Sequence, residues 1–182
     1  MVVHEEPHIR PLLRSEYDKL VELGAFEDER IELLEGALVE MTPIGPPHSA
    51  TVDKLTMLLA PALVGRAIVR VQGPFAAERI SEPEPDVSVL PLGEYDEQHP
   101  EVALLVIEVA ESSLSRDRVI KQRIYARSGV KDYWIVNLVD RSLEVYREPA
   151  GEAYQSVQRL EPGDMLSPLA FPELSLRVDA IV

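Results

Sequence analysis

The sequence predicts an α/β protein, a mixed β-sheet flanked by helices, with a helix and hairpin added before the sheet and edge strands after it. Three observations carry this. The run ALLVIEV (103–109) is apolar almost throughout until Glu108, as a central strand covered on both faces requires. The stretch SSLSRDRVIKQRIYARSG that follows reads as a helix and leads into two further strand-like runs. Of the 182 residues, 46% are hydrophobic, enough for one domain with a sizeable core, spanning 1–182.

In chain order, Leu12, Leu13, Tyr17, Leu20, Val21 and Leu23 recur at helical spacing before Gly24, which predicts a short packing helix within the first 25 residues. RIELLEGALVEM places two apolar runs around Glu35-Gly36, a hairpin turn because glycine accepts positive φ. The Pro- and Gly-rich MTPIGPPHS is a loop. From His48 onward, Val52, Leu55, Leu58, Leu59, Ala62 and Leu63 form one buried helix face, which Pro61 should end or kink. Strands are expected at AIVRVQ (67–72), FAAERI (75–80) and PDVSVL (85–90), separated by Gly73-Pro74 and the stiff SEPEP. The helix after the central strand has serines to cap its start, Arg127 in its last turn and Gly129 at its stop. DYWIVN (132–137) and SLEVYRE (142–148) are strands, and the tail, with YQSVQRL, the turn EPGD and SLRVDAIV, adds edge strands. There is no internal repeat, low-complexity tract or dividing linker.

Composition excludes several classes. No apolar run approaches the roughly 20 residues of a membrane span, and MVVHEEPHIR lacks the pattern of a secretion signal, so a soluble, cytoplasmic protein is expected. With no cysteine, disulfides, thiolate catalysis and cysteine-based zinc sites are excluded, and any metal must sit on oxygen or imidazole, which points to hard cations such as Mg²⁺ or Mn²⁺. Thirty-two acids against 18 bases give a net charge of −14, which argues against non-specific phosphate binding. Against that, Arg116, Arg118, Lys121, Arg123, Arg127 and Lys131 cluster in one stretch whose only acid is Asp117, either a solvated helix face or a local positive surface.

Two carboxylates stand where their neighbours make them costly. Glu108 lies inside LLVIEVA, where an ionised side chain costs several kcal/mol unless it meets a cation, a donor or a proton. Asp86 follows Pro85 at the start of a strand and reaches the same space if the two strands are neighbours. Taken singly, each reads as an arginine partner or a turn cap; as a pair on adjacent strands, with a carbonyl and waters, they read as a divalent-metal site. Asp117, Lys121 and Tyr125 are spaced by four on the next helix and share a face, either as a surface pair or with Lys121 leaning toward the carboxylates.

EPEPDVSVL and LLVIEVAESSLSRDRVIKQRIYARSGVKDYWIVN, with RSEYDKL, RIELLEG, PPHSATVDKL and GDMLSPLAFPELSLRV, together resemble the bacterial Uma-two family, a restriction-endonuclease-like branch of the PD-(D/E)xK superfamily. The resemblance runs nearly the whole chain. It implies a Mg²⁺- or Mn²⁺-dependent endonuclease acting on DNA, with Asp86 and Glu108 as metal ligands and catalytic acids, and with the basic helix 116–131 on the nucleic-acid backbone. Position 110, where the superfamily places its lysine, is Ala110; the family's D-x-x-x-K-x-x-x-Y arrangement passes that role to Lys121. Glu32 matches a family acid and stands as a further metal ligand or a hairpin surface acid, while His48, where the family pattern also has histidine, either approaches the site through the loop before it or, the favoured reading, is a helix-start residue bonded to that loop. Tyr133 and Trp134 are expected in the core rather than as base-stacking platforms. The resemblance also implies a homodimer, since cutting two strands is simpler with two sites related by a two-fold axis. The alternative, which Ala110 and the acidic charge favour, is a binding or regulatory module that keeps the fold without the chemistry.

Overall fold

A computed structural model describes residues 9–182; most of the stretch read above for a secretion signal lies outside the described residues. Helix α1 (Arg14–Glu22) and the hairpin β1 (Ile31–Leu34) and β2 (Ala37–Glu40) come first. The hairpin turns where predicted: Glu35 and Gly36 both take positive φ, 50° and 80°, and a Cβ on Gly36 would meet Pro11 Cβ at 2.2 Å, so only glycine fits. Helix α1 is less of a packing element than its spacing predicts, since Tyr17 is buried but Val21 and Leu23 are exposed.

Helix α2 (Pro46–Leu63) begins on two prolines, whose fixed φ suits the first helical turn. It buries Val52, Leu55, Leu59 and Leu63, four residues of the predicted face, against the sheet. Pro61 does not end it. The carbonyl that loses its partner belongs to Met57, which is 76% exposed, so water can take the place of the missing N–H.

The central sheet consists of β3 (Ile68–Val71), β4 (Val87–Leu90), β5 (Leu105–Ala110), β6 (Asp132–Asn137), β7 (Ser142–Ala150) and β8 (Ala153–Leu160), bonded in that order. All neighbours are antiparallel except β5 and β6, where Glu108 sits opposite Ile135. One face packs Val87, Val89, Ile107, Val109, Trp134, Val136 and Leu143 against α2 and the tail. The other packs Val106, Ala110, Tyr133 and Ile135 with Tyr125 and Ala126 of the crossover helix. Both faces of β5 are therefore covered, which is why it shows no polar alternation.

FAAERI (75–80) is not a strand. Phe75 and Ala76 are buried, but their N–H groups go to the carbonyls of Pro83 and Pro100, and Glu78 closes a tight bridge with Ser81. The surrounding prolines have no N–H with which to extend a ladder. The tail also differs from expectation. β8 is an edge strand, but β9 (Met165–Leu166) and β10 (Leu176–Arg177) pair only with each other, and Val178 and Ile181 dip into the core.

The crossover from β5 to β6 is helical but uneven: α3 (Leu114–Arg116), a π turn (Asp117–Lys121) and α4 (Gln122–Arg127), stopped by Gly129 at φ 73°. The Gln122 N–H bonds to the Asp117 carbonyl, five residues back. Such one-turn bulges concentrate at functional sites. Among the described residues no helix is long and apolar enough to cross a membrane.

Candidate active site

Strands β4 and β5 pair only over Val87–Val89 and Leu105–Ile107, so β5 runs on past the end of its partner. The Val109 N–H, which would be left without an acceptor there, is taken by Asp86 Oδ2 at 2.8 Å. Asp86 thus extends the ladder with its side chain and comes to lie next to Glu108, one residue before the bonded amide.

Glu108 is 3% exposed. Its Oε1 accepts from Lys121 Nζ at 3.1 Å and from the Tyr125 hydroxyl at 2.7 Å. Both donors come from the crossover helix, as their shared spacing predicts. Lys121 Nζ also forms an ion pair with Glu32 Oε2 at 2.9 Å, so one buried ammonium bridges the hairpin acid and the strand acid. Asp117 shares the face but turns aside, with its Oδ2 accepting from Ser113 Oγ at 2.6 Å and its carbonyl from the Tyr133 hydroxyl. Ser113 therefore binds a side chain and makes no cap hydrogen bond to the backbone.

The electrostatics follow from burial of three acids around one base. Burial pushes Glu108 well above the usual carboxylate range; Lys121 pulls it down, and Asp117, Asp86 and Glu32 add to the rise. Burial likewise raises Asp117 against the pull of Lys121 and Ser113. Burial opposes the charge on Lys121, but Glu108, Glu32 and Asp117 outweigh it and raise its pKa, so the ammonium persists. Tyr125 is raised far above its ordinary value by burial and by Glu108, and remains a phenol that donates.

Asp86, Glu108, Lys121, Glu32, Asp117 and His48 line one cavity of about 70 Å³, room for a few waters. Asp86, Glu108 and Lys121 are thus brought together from two strands and a helix, as expected. Oδ1 of Asp86 and Oε2 of Glu108 accept no hydrogen bond from the described residues. Glu32 lines the same cavity, and its contacts are with bases and an amide: its Oε2 lies 2.9 Å from Lys121 and accepts the Glu84 N–H, and Arg116 lies 3.7 Å from its Oε1. His48 departs from its expected loop contact, because its Nε2 lies 3.0 Å from Asp86 Oδ2. Only the family resemblance had drawn attention to His48; nothing in its local spacing points to Asp86.

Among the described residues no three acid or imidazole groups converge as a complete metal cage. Mg²⁺ does not require one, since it keeps several waters and binds through one or two carboxylates plus substrate phosphate. The two uncommitted oxygens fit that demand. The basic helix is less available than its sequence implies. Arg116 bonds the Glu40 carbonyl and Thr42, Arg118 chelates Glu144, Arg123 binds Glu35, and Arg127 spans Glu35, Glu78 and Glu152. Tyr133 and Trp134 are fully buried core residues, as expected.

A mixed sheet whose paired strands hold two acids, with a buried lysine supplied by the crossover helix, defines a nuclease-like α/β protein. A crystal structure from Anabaena variabilis ATCC 29413, described as a "putative nuclease belonging to DUF820", shares this fold with a TM-score of 0.71 at 19% identity, covering 94% of this chain and 97% of that one. The family profile Uma2, described as "Putative restriction endonuclease", matches residues 14–179, and the chain belongs to that family. No curated protein matches it.

Proposed function

We propose that this chain is a divalent-cation-dependent endonuclease that hydrolyses phosphodiester bonds of DNA, with Asp86 and Glu108 holding the cation. The observation that carries the reading is the pair of uncommitted oxygens on Asp86 and Glu108, two residues that line one cavity beside an ammonium fixed on Glu108. A cation bound there supplies Lewis acidity and shields developing phosphate charge. Glu108 accepts Lys121 and Tyr125 on one oxygen and so presents the other. An ammonium has three N–H donors. One is given to Glu108 and the ammonium also lies 2.9 Å from Glu32, which leaves a donor for a phosphate oxygen or the attacking water. Glu32 serves the lysine in this reading rather than the cation. Cleavage of plasmid, single-stranded DNA and RNA with Mg²⁺, Mn²⁺ or EDTA tests it. The expected result is cation-dependent cutting of DNA by wild type and none by Asp86→Ala. Equal nicking by both proteins identifies a contaminant.

The pairing of the helix arginines with glutamates favours a second reading, a module that keeps the fold without cutting. It predicts no Mn²⁺ binding that depends on Asp86.

A further inference from the structure

His48 belongs to no step of the proposed chemistry, yet its ring is spent on a catalytic acid. It stands in the first turn of α2, after Gly45 and the two prolines that fix the start of the helix. Its side chain is 13% exposed, its Nε2 lies 3.0 Å from Asp86 Oδ2, and its Nδ1 is buried without a hydrogen-bond partner among the described residues. A buried histidine that serves only packing ordinarily satisfies both nitrogens, because an orphaned buried acceptor costs stability. Here one nitrogen is left unsatisfied while the other is aimed at a carboxylate.

The tautomer follows from the acceptor. An ionised carboxylate can only accept, so in the neutral ring the hydrogen sits on Nε2 and the lone pair on Nδ1. Oδ2 of Asp86 then receives two donors, the His48 Nε2–H and the Val109 N–H at 2.8 Å. These come from opposite sides of the acid in the chain, one from α2 and one from β5. Together they occupy Oδ2 and restrain the carboxylate, leaving Oδ1 without a hydrogen bond from the described residues. The Val109 amide alone pins one oxygen but leaves the group able to swing about that bond.

We propose that His48 is a positioning residue for Asp86, holding Oδ2 so that Oδ1 is the oxygen offered to the cation. This rests on the cation-dependent reading above. Groups that orient a metal ligand in this way typically contribute about 10–100-fold to metal affinity.

The test compares wild type, His48→Gln and His48→Met in Mn²⁺ titrations followed by calorimetry or electron paramagnetic resonance, with ¹⁵N NMR of the imidazole in the metal-free wild type. Glutamine retains a donor near the Nε2 position, whereas methionine fills the space without one. Expected are an Nε2–H tautomer in wild type, Mn²⁺ affinity about tenfold or more weaker in His48→Met, and most of it restored in His48→Gln. An Nδ1–H tautomer, or wild-type Mn²⁺ affinity in a folded His48→Met, overturns the role of His48 and leaves the cation reading standing. Absence of Mn²⁺ binding by wild type overturns both.

Discussion

Replacing Lys121 by Met should expose how much of the fold's stability is tied to the site. Lys121 is 4% exposed, and its ammonium lies 2.9 Å from Glu32 and 3.1 Å from Glu108, themselves 2% and 3% exposed. Methionine fills a similar volume, so the loss is one of charge rather than packing. Removing one partner of a buried ion pair costs about 3–5 kcal/mol, because the remaining charge is left uncompensated. For a chain of this length each kcal/mol lowers Tm by about 2–4 °C, so a fall of about 6–20 °C is expected in EDTA at neutral pH. The loss should shrink on acidification. Burial already raises the Glu108 pKa, so the folded state takes up a proton that the unfolded chain releases, and stability falls as pH rises through the folded value. Removing the ammonium removes the largest pull in the other direction. The double variant Lys121→Met, Glu108→Gln should therefore recover part of the loss at pH 7. Thermal melts and urea titrations from pH 5 to 8 measure both effects. A Tm within 2 °C of wild type, or no recovery in the double variant, would refute the argument that this ammonium compensates the two acids (about 1 kcal/mol at this chain length).

Three other perturbations bear on separate parts of the molecule. Tyr125→Phe removes the 2.7 Å hydrogen bond to Glu108 and should cost about 1.5–3 kcal/mol in urea titration, while a cost below about 0.5 kcal/mol would show that the hydroxyl contributes nothing. Burial, with Asp18 next, pushes Glu82 up to about 7, so wild type should lose stability as pH rises from about 4.5 through 7; Glu82→Gln should flatten that decline and be more stable at pH 8 by on the order of 3 kcal/mol, and parallel curves would count against it. DNA affinity should be weak with a shallow salt dependence, because among the described residues Lys131 alone of the six bases in 116–131 has no carboxylate within 4 Å; a log K against log salt slope steeper than about −4 would mean that the arginines leave their glutamates.

The strands and helices that the sequence revealed were those whose neighbours in space are also neighbours in pattern. ALLVIEV announced a strand with two covered faces, and the shared helix face of Lys121 and Tyr125 is the one that meets Glu108, although nothing in the spacing named Glu108 as the partner of Tyr125. FAAERI was misleading because burial of Phe75 and Ala76 imitates a strand, while the acceptors for their N–H groups, Pro83 and Pro100, are set by the tertiary fold. The π turn leaves no trace in composition. His48 and Glu32 were ambiguous for the same reason: what each touches, Asp86 and Lys121, lies 38 and 89 residues further on, beyond the reach of any local period. Ala110 is legible in hindsight from packing. It is fully buried beneath the helix that carries Lys121, and a lysine there would have to enter that apolar layer.

The overhang of β5 beyond the end of β4 makes the order of assembly matter. Before β4 and β5 are paired, Asp86 has no Val109 amide to cap, and before the crossover helix docks, Glu108 has no counter-charge. Contacts spanning such separations in the chain form late, after the loop entropy of intervening segments has been overcome. A nascent or partly unfolded copy would thus carry its acids apart and its lysine in water. On the nuclease reading, the protein would be harmless to nucleic acid until its last long-range contacts close, and any damage that loosens the sheet would silence it before exposing an active fragment.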